Sequence, residues 1–311
     1  MTSDDGEHRS VPMRRPYRLF DVTLLRRMRL SPSLCRFTFG GAAVANMRTS
    51  APDQRIKVFF PDAAGKAPAL SADTWLADYQ AMSAADRPPR RTYTIRALRP
   101  SDREVDIDFV LHGTTGPASR WALAATPGER LQIVAPDGGF EGDPGGYEWR
   151  PPRNLDRLLL LADETALPAA AGILEQLAST NRPPLTEVHL EVPTVGDCLS
   201  LPTWPTLRLH WAVRQGSPCA AGDFLIDAAR TAEVPAAAHP SAPASTLADV
   251  DVDRTILWET QAPPEDGAFY AWVAGEAGAV KTIRHLLLEE RGLPRSATNL
   301  MGYWRQGRIL E

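Results

Sequence analysis

Apolar and polar residues alternate in short runs over the first half of the chain, and turns rich in proline and glycine separate these runs. An alternation with a period of two is typical of strands that bury one face. Six such strands are predicted, at about Tyr17–Leu30, Leu34–Phe39, Gln54–Phe60, Arg91–Leu98, Glu104–Leu111 and Arg130–Ala135. Six short strands with these connections predict a small closed antiparallel barrel, with one helix at about Thr74–Met82.

The second half of the chain alternates apolar runs with helical patterns. Residues 158–162 form a continuous apolar run, as expected for a parallel strand that is buried on both faces. Strands are predicted at Arg157–Ala162, Glu187–Val192, Leu207–Val213 and Phe269–Ala274, and helices follow the first and the last of these, ending near Leu177 and Arg291. The pattern therefore predicts a parallel sheet with crossover helices.

A chain of 311 residues suits two domains of about 150 residues each. Residues 137–153 are rich in glycine and proline, so we place the boundary there, between a barrel domain over 17–150 and an α/β domain over 151–311. Residues 1–16 are polar and lack the apolar stretch of a secretory signal, and we expect a disordered arm. Residues 231–248 are dominated by Ala, Pro and Ser and predict a flexible loop.

Charge and composition exclude several classes of function. The formal net charge of −4 argues against a general binder of nucleic acid or of anionic membranes. No apolar run approaches the ~20 residues that span a bilayer. The three cysteines fit neither a disulfide framework nor an iron–sulfur cluster of four cysteines, and the histidines lack metal-ligand spacing. We expect a cytoplasmic monomer without a structural metal.

The segment 91–96 (Arg-Thr-Tyr-Thr-Ile-Arg) combines residue types that suit a flavin dinucleotide. One face of this strand would present the Tyr93 ring with Arg91 beside it, and the other face two threonine hydroxyls and Arg96. A flavin needs an aromatic ring against its isoalloxazine, a hydroxyl near its reactive nitrogen and a guanidinium on its pyrophosphate. Taken alone, the segment also fits a basic edge strand with one aromatic residue.

A turn rich in glycine and threonine follows the strand that ends at Leu111. Pro117 suits the first position of a helix, where its missing N–H costs nothing. A strand, such a turn and a helix N-terminus present free backbone N–H groups and a positive dipole end to an anion, and Ser119 and Arg120 add donors for a pyrophosphate. An ordinary capped helix after a turn would explain the same residues.

Small acidic loops follow two of the predicted parallel strands, at 163–169 and 275–278. Loops at the carboxyl ends of parallel strands are where open α/β sheets bind ligands, so the two loops indicate a binding crevice. Asp163 and Thr165 also suit a helix cap, as does Glu276, and capping is a sufficient structural role for them.

Five motifs occur along the chain in one order: Arg91–Arg96, Leu111–Gly113 with Gly116–Ala122, Asp163–Ala169, Gly275–Ala277 and Gly302–Gly307. In this order they resemble the siderophore-interacting proteins, FAD-containing ferric-siderophore reductases of the ferredoxin-reductase superfamily. The resemblance runs from about Tyr17 to the C-terminus. No G-x-G-x-x-G follows a predicted strand, which disfavours an ordinary Rossmann dehydrogenase, and the superfamily does not depend on that fingerprint.

The resemblance implies a six-stranded antiparallel FAD-binding barrel followed by an NAD(P)-binding-like domain with a parallel sheet. It also implies that Arg91 holds a phosphate, that Tyr93 packs along the ribityl chain or ring, and that Thr94 approaches the flavin N5. The remaining residues that the resemblance places at the FAD are His112, Gly116, Ala118, Ser119, Asp163, Thr165 and Glu276. His112 would equally serve as a hydrogen-bonded residue at a strand end.

Ferric siderophores are often anionic, so a basic landing site is expected for them. Lys57 lies mid-strand where the family has a basic residue, Arg305 lies in the last motif, which closes the cleft in the family, and Arg308 directly follows that motif and could assist. Each of the three could instead be a solvated surface charge. An acidic residue that would favour NADH is missing directly after Val192, and Arg214 could meet a 2′-phosphate, so NADPH is preferred to NADH, with ferredoxin open as the donor.

The function that the resemblance implies is FAD-dependent reduction of ferric siderophores, with release of Fe(II) and with NAD(P)H or ferredoxin as electron donor. Two alternatives stay open. One is a general flavin or ferredoxin reductase that does not act on ferric chelates, and the other is a flavin-bearing protein that binds siderophores without turnover. Compared with the family, residues 231–248 look like an insertion.

Overall fold

A computed structural model describes residues 14–62, 64–111, 116–235, 250–260 and 267–308. Most of the arm expected over 1–16 and of the loop expected over 231–248 lies outside the described residues. None of the helices in the described part of the chain is long and apolar enough to cross a membrane.

The first sheet contains the strands β1 (Tyr17–Arg29), β2 (Leu34–Gly40), β3 (Arg55–Phe59), β4 (Arg90–Thr94), β5 (Ala97–Arg99), β6 (Glu104–Val110) and β7 (Arg130–Pro136). Their order is β4-β3-β7-β1-β2-β6-β5, and every pairing is antiparallel. The antiparallel FAD-barrel type of sheet is thus confirmed, with seven strands where six were predicted. The strand predicted over 91–98 is divided into β4 and β5.

The division of that strand lets the chain connect the two edges of the sheet. The Ile95 N–H donates to the Gln54 carbonyl beside β3 (2.9 Å), whereas the Arg96 N–H donates to the Asp106 carbonyl in β6 (2.9 Å). Backbone polar groups need partners when they leave water, and these two bonds supply them while the chain passes from one edge to the other. The sheet therefore curls, with Thr94 at the crossing point.

The interior of the barrel is a cluster of aromatic rings. Phe37 and Phe109 are fully buried, with ring centroids 4.7 Å apart, and the Trp121 ring packs on Phe37 at 5.3 Å. Trp121 belongs to α2 (Pro117–Ala124), which closes one end of the cluster. On another side, α1 (Trp75–Ala81) covers Phe59 with Tyr79. Aromatic burial of this kind dominates the core of so small a barrel.

The second sheet contains β8 (Arg157–Asp163), β9 (Leu185–Val192), β10 (Leu207–Val213), β11 (Trp258–Glu259), β12 (Phe269–Glu276) and β13 (Thr298–Trp304). Its order is β10-β9-β8-β12-β13-β11, parallel except for the antiparallel edge strand β11. The predicted parallel sheet is confirmed, but β11 and β13 were not predicted.

Three helices flank the second sheet: α3 (Leu167–Ala178), α4 (Asp223–Thr231) and α5 (Ala277–His285). The pattern that predicts a helix to Arg291 corresponds to α5 and one π-helical turn, Leu286–Glu290. Short 3-10 segments lie at Ala42–Asn46, Val195–Asp197 and Arg295–Ala297. Because the strands of a parallel sheet all end at one edge, the loops after β8 and β12 meet there, as the sequence predicts.

Two buried carboxylates connect segments that are far apart in the sequence, and the first of them also crosses the predicted domain boundary, which itself stays a prediction. Asp197, after β9, accepts hydrogen bonds from the Ser31 hydroxyl and the Ser33 N–H, both at 2.7 Å. Asp53, before β3, accepts the N–H groups of Glu148 and Trp149, both at 2.8 Å, through one oxygen. The other Asp53 oxygen is buried and has no hydrogen-bond partner among the described residues.

We expect Asp53→Asn to remove a pH-dependent loss of stability. Burial raises the pKa of Asp53 to about 6, although the two backbone N–H groups act in the opposite direction. The unfolded value is about 3.9, so the folded protein binds this proton more tightly, and stability is lost as the pH rises from about 4 to about 6. The free energy of unfolding of the variant, relative to the parent, should therefore rise by about 3 kcal/mol over this range.

Urea unfolding at pH 4, 5, 6 and 7 measures this difference. The exposed Asp73→Asn, which removes the same charge elsewhere, is the control. Parallel stability curves for the parent and the Asp53 variant would contradict the prediction.

Candidate functional site

A cleft of about 510 Å³ lies between the barrel and the second sheet. Its volume is within the range of about 300–1,000 Å³ that is typical of ligand pockets. Eight of the residues predicted for the site line it: Lys57, Arg91, Tyr93, Thr94, Gly116, Ala118, Ser119 and Thr165. The structure thus brings together residues from β3, β4, α2 and the loop after β8, which are far apart in the sequence.

One wall of the cleft is basic. The Arg91 guanidinium donates to the neighbouring Arg90 carbonyl (2.6 Å), and the Lys57 ammonium donates to the hydroxyl of Thr92, its register partner in β4 (2.5 Å). No ion pair joins Arg91 or Lys57 to a carboxylate within the described ranges. Burial, together with the positive charges of Arg90 and Arg55, lowers the pKa of Lys57. This wall therefore carries positive charge that the described residues do not neutralise.

Tyr93 and Thr94 form the floor of the cleft at the end of β4. The Tyr93 ring stacks on Phe109 with centroids 4.1 Å apart and an interplanar angle of 16°. Burial raises the pKa of Tyr93, so the phenol stays neutral. Thr94 is 7% exposed and lies where the chain crosses between the sheet edges. Stacking on Phe109 thus holds the Tyr93 ring against the barrel core, and both Tyr93 and Thr94 line the cleft.

The N-terminus of α2 opens into the cleft. Gly116 is the N-cap residue, with extended backbone angles and no side-chain capping bond, and Pro117 occupies the first turn. The N–H groups at the start of a helix have no partner within the helix, so those of Ala118 and Ser119 are available to an anion. A Cβ atom on Gly116 would meet no described atom within 4 Å. His112, predicted beside this site, lies outside the described residues.

Asp163 lies behind the cleft and holds two residues that line it. One of its oxygens accepts the Thr165 N–H (2.9 Å) and hydroxyl (2.5 Å), and the other accepts the Trp304 indole N–H (2.7 Å). Burial and the charge of Glu164 raise the pKa of Asp163, although the hydrogen bonds from Thr165 and Trp304 act in the opposite direction. A Cβ atom on Gly275 would lie 2.7 Å from the Asp163 carboxylate, so this close approach requires glycine.

Glu276 and Arg305 form a second group outside the lining of the cleft. Glu276 caps α5 by accepting the Ala279 N–H (2.9 Å), and it accepts a bond from the Arg305 guanidinium (2.8 Å). Arg305 also donates to Asp253 (2.7 Å), and hydrogen bonds to Asp253 and Glu276 raise the pKa of Arg305. Arg308 is exposed and pairs with Arg305 through the backbone. Of the three predicted substrate cations, only Lys57 lines the cleft.

Arg214, predicted to meet a 2′-phosphate, also lies outside the cleft lining. Its guanidinium donates to both oxygens of Glu164 (2.6 and 2.9 Å) and to Glu191 (2.9 Å). These two carboxylates are almost fully buried. The charge of Arg214 is therefore compensated within the protein.

Sequence reasoning missed an aromatic wall formed by Trp258, Tyr303 and Trp304, with Arg55 beside it. The register of β12 and β13 pairs Gly275 with Gly302 but Glu276 with Trp304, so a bulge includes one extra residue in β13. Neighbouring strand residues normally point to opposite faces, and the bulge instead lets Tyr303 and Trp304 both line the cleft. The last motif, Gly302–Gly307, contained this signal, because it includes both Tyr303 and Trp304.

The cleft offers the groups that an FAD needs. Arg91 and the start of α2 suit the pyrophosphate, because unneutralised positive charge and free N–H groups bind phosphate oxygens. Tyr93 offers a ring edge, and Thr94 offers a hydroxyl, beside the volume where an isoalloxazine would lie. The residues present therefore fit this cofactor.

An antiparallel barrel followed by a parallel sheet, with the cleft between them, defines a fold of the ferredoxin-reductase type. The structure superposes on ferredoxin-NADP+ reductase from Plasmodium falciparum with a TM-score of 0.56, covering 92% of this chain and 96% of that one. The two are 9% identical, so this likeness shows the fold alone.

Family comparisons give the narrower assignment. Residues 23–140 match the siderophore-interacting FAD-binding domain, and residues 155–307 match the siderophore-interacting protein model. The chain is 27% identical to the ferric vibriobactin reductase ViuB of Vibrio cholerae, over 94% of this chain and 90% of that protein. A siderophore utilization protein from T. fusca superposes with a TM-score of 0.71 at 29% identity, over 96% and 97% of the two chains. The chain belongs to the siderophore-interacting protein family.

Proposed function

We propose that this protein is an FAD-dependent ferric-siderophore reductase that releases iron as Fe(II) and takes electrons from NAD(P)H or ferredoxin. The observation that carries the proposal is the cleft itself, in which the FAD-type residues and the basic Lys57 line one volume. The name of the similar ViuB protein, a ferric vibriobactin reductase, supports the same reaction.

The residues of the barrel would bind and orient the cofactor. Arg91 and the N–H groups of Ala118 and Ser119 would hold the pyrophosphate, and Tyr93 and Thr94 would fix the ring at the floor of the cleft. When bound, FAD supplies the redox chemistry, because it accepts electrons from the donor and passes them singly to Fe(III). No side-chain nucleophile is required.

The other walls would bring the iron chelate to the ring. Lys57 would attract an anionic chelate by its unneutralised charge, and Trp304, fixed by Asp163, would exclude water from the floor. Fe(II) carries one charge fewer than Fe(III), so anionic oxygen ligands hold it more weakly and the reduced iron leaves.

The predicted preference for NADPH has two grounds, the missing acidic residue directly after Val192 and the cation Arg214. The Arg214 guanidinium already binds Glu164 and Glu191. A 2′-phosphate would have to displace two buried carboxylates, so Arg214 gives no reason to prefer NADPH over NADH. The test of function therefore includes all three donors.

Anaerobic reduction of the purified FAD-loaded protein tests the proposal. We expect at least one of NADPH, NADH and reduced ferredoxin to bleach the flavin absorbance, and a ferric siderophore to restore it while a ferrous-specific dye records Fe(II). Free flavin and small electron acceptors serve as comparison substrates. Turnover with these but not with ferric chelates would identify a general reductase, and a flavin that no donor reduces would identify a binding protein without turnover.

A further inference from the structure

A buried carboxyl group borders the cleft from behind and has no cation beside it. Asp163, at the end of β8, is 1% exposed and forms no ion pair with a lysine or arginine within the described ranges. Burial without a counter-charge disfavours the ionised form of a carboxyl group, and the charge of Glu164 acts in the same direction. Asp163 therefore holds a proton more readily than a carboxyl group in water does.

The hydrogen bonds of Asp163 determine where such a proton would lie. Oδ2 accepts the Trp304 indole N–H at 2.7 Å, and an indole nitrogen cannot accept a bond in return. Oδ1 accepts the Thr165 N–H and lies 2.5 Å from the Thr165 hydroxyl oxygen, which can either donate or accept. A proton on Asp163 therefore belongs on Oδ1, where it donates to Thr165.

Protonation of Asp163 reverses the direction of this hydrogen bond. When Asp163 is ionised, the Thr165 hydroxyl donates to the carboxylate, and only its lone pairs are left for the cleft. When Asp163 is protonated, the Thr165 oxygen accepts, and its own hydrogen is released to turn toward the cleft, which Thr165 lines. The same hydroxyl is thus an acceptor for a cleft ligand in the first state and a donor in the second.

The ionisable groups near Asp163 belong to the neighbouring segments of the second sheet and are themselves paired or neutral. They are Glu164 and Glu191, both bound by Arg214, Glu276, bound by Arg305, and the Tyr303 phenol, which stays neutral because burial raises its pKa. Residues 167–174 at the start of α3 include no ionisable side chain, and the cleft-lining cations of the barrel are Arg55, Lys57 and Arg91. Among these four carboxyl groups, only Asp163 has no cation bound to it.

On the basis of the proposed function, we infer that Asp163 takes up a proton when the cleft ligand is reduced, and that the Thr165 hydroxyl then donates into the cleft. Two electrons and one proton leave a flavin one charge unit more negative than before. A second proton, taken from water, forms an O–H bond at Oδ1 of Asp163 and compensates that unit. When the electrons pass singly to two Fe(III) ions, both protons return to water.

The coupling follows from electrostatics and is reciprocal. Negative charge in the cleft favours the protonated form of a nearby carboxyl group. By linkage, a proton on Asp163 makes reduction of the cleft ligand more favourable to the same extent. The Thr165 hydroxyl strengthens the coupling, because it offers its hydrogen to the cleft only while Asp163 is protonated.

Spectroelectrochemistry of the FAD-loaded protein tests the inference without any donor or chelate. The midpoint potential of the flavin, followed from about pH 5 to about pH 9, counts the protons that are bound with each electron pair. We expect the parent to bind up to one proton more per electron pair than Asp163→Asn in part of this range. The infrared spectrum of the parent should also gain a carboxylic-acid C=O band on reduction that the variant lacks.

Variants of Thr165 separate the hydroxyl from the carboxyl group. Thr165→Val leaves a proton on Oδ1 without its acceptor and should reduce the extra proton uptake at least twofold, whereas Thr165→Ser should retain it. Asp53→Asn is the matched control, because it removes another buried carboxyl group of raised pKa that does not line the cleft. It should leave the proton count unchanged.

An equal proton count for the parent and Asp163→Asn would overturn the inference, as would an equal loss of the extra uptake in Asp53→Asn. Should Asp163→Asn fail to retain FAD, the parent and the Thr165 variants decide. A parent without a new carboxylic-acid band on reduction, or a Thr165→Ser protein that behaves as Thr165→Val does, would then refute it.

The proposed function fails differently. A parent that shows the extra proton uptake but reduces no ferric chelate would refute the reductase and leave the inference standing. Turnover of ferric chelates by a parent whose proton count matches that of Asp163→Asn would do the reverse.

Discussion

Replacing Arg91 by alanine should weaken FAD binding so much that the protein loses most of its FAD. Arg91 lines the same cleft as the N-terminus of α2, and its guanidinium forms no ion pair with a carboxylate in the part of the chain described. A charge-assisted hydrogen bond to a phosphate contributes about 1.5–3 kcal/mol, so the dissociation constant for FAD should rise roughly tenfold to 150-fold. The variant should therefore be purified with little flavin.

The neighbouring Arg90→Ala provides a matched control for this experiment. Arg90 belongs to the same strand, but its guanidinium lies over the Tyr79 ring, 4.7 Å from the centroid, and does not line the cleft. Flavin absorbance per protein, followed by titration of the apoproteins with FAD, would measure both variants. A fully yellow Arg91→Ala protein, or an equal loss of FAD from both variants, would remove Arg91 from the cofactor site.

The overall fold was predictable because its signals are local. Alternation over a few residues identifies half-buried strands such as β3, and the continuous apolar run in β8 identifies a parallel strand buried on both faces. The break between β4 and β5 was not predictable in this way. The alternation continues through Ile95, and only the hydrogen bonds from Ile95 to Gln54 and from Arg96 to Asp106 show where the chain changes edges.

The strands β11 and β13 of the second sheet were not predicted for a similar reason. β11 contains two residues, which is too short for any periodicity to appear. β13 contains Gly302 and a bulge, and both interrupt the pattern of a regular strand. We recognised its end as a motif that closes the cleft and did not expect it to form a strand within the sheet.

Most of the predicted site residues that line the cleft come from short segments that each contribute several of them. The β4 strand and the start of α2 each bring their residues to the cleft as a unit. The charged residues Arg214 and Arg305 are different, because their partners come from distant segments. Glu164 is 50 residues from Arg214, and Asp253 is 52 residues from Arg305. The presence of a basic residue in the sequence therefore does not show whether its charge is free to bind a ligand or is already neutralised by a carboxylate of the protein.

Lys57 carries a charge that is available to a ligand, whereas the charge of Arg305 is neutralised within the protein. We therefore expect Lys57→Gln to change the KM for an anionic ferric chelate and Arg305→Gln to leave it almost unchanged. Lys57 lines the cleft without a carboxylate partner among the described residues, whereas Asp253 and Glu276 already neutralise Arg305. Attraction by an available charge acts on encounter and binding and is screened by salt over about 10 Å at 0.1 M. Lys57→Gln should raise the KM for an anionic ferric chelate about tenfold at low salt and flatten its salt dependence.

Arg305→Gln should leave that KM within about twofold of the parent value and should instead lower the thermal stability, because it leaves the buried Glu276 without its cation. The exposed Lys66→Gln changes the net charge by the same amount and is the control for long-range electrostatics. Steady-state kinetics across ionic strength, with the donor half-reaction followed separately, would measure all three variants. An increase in KM for Arg305→Gln as large as that for Lys57→Gln would contradict the prediction. It would mean that a cation already paired within the protein can still bind the siderophore.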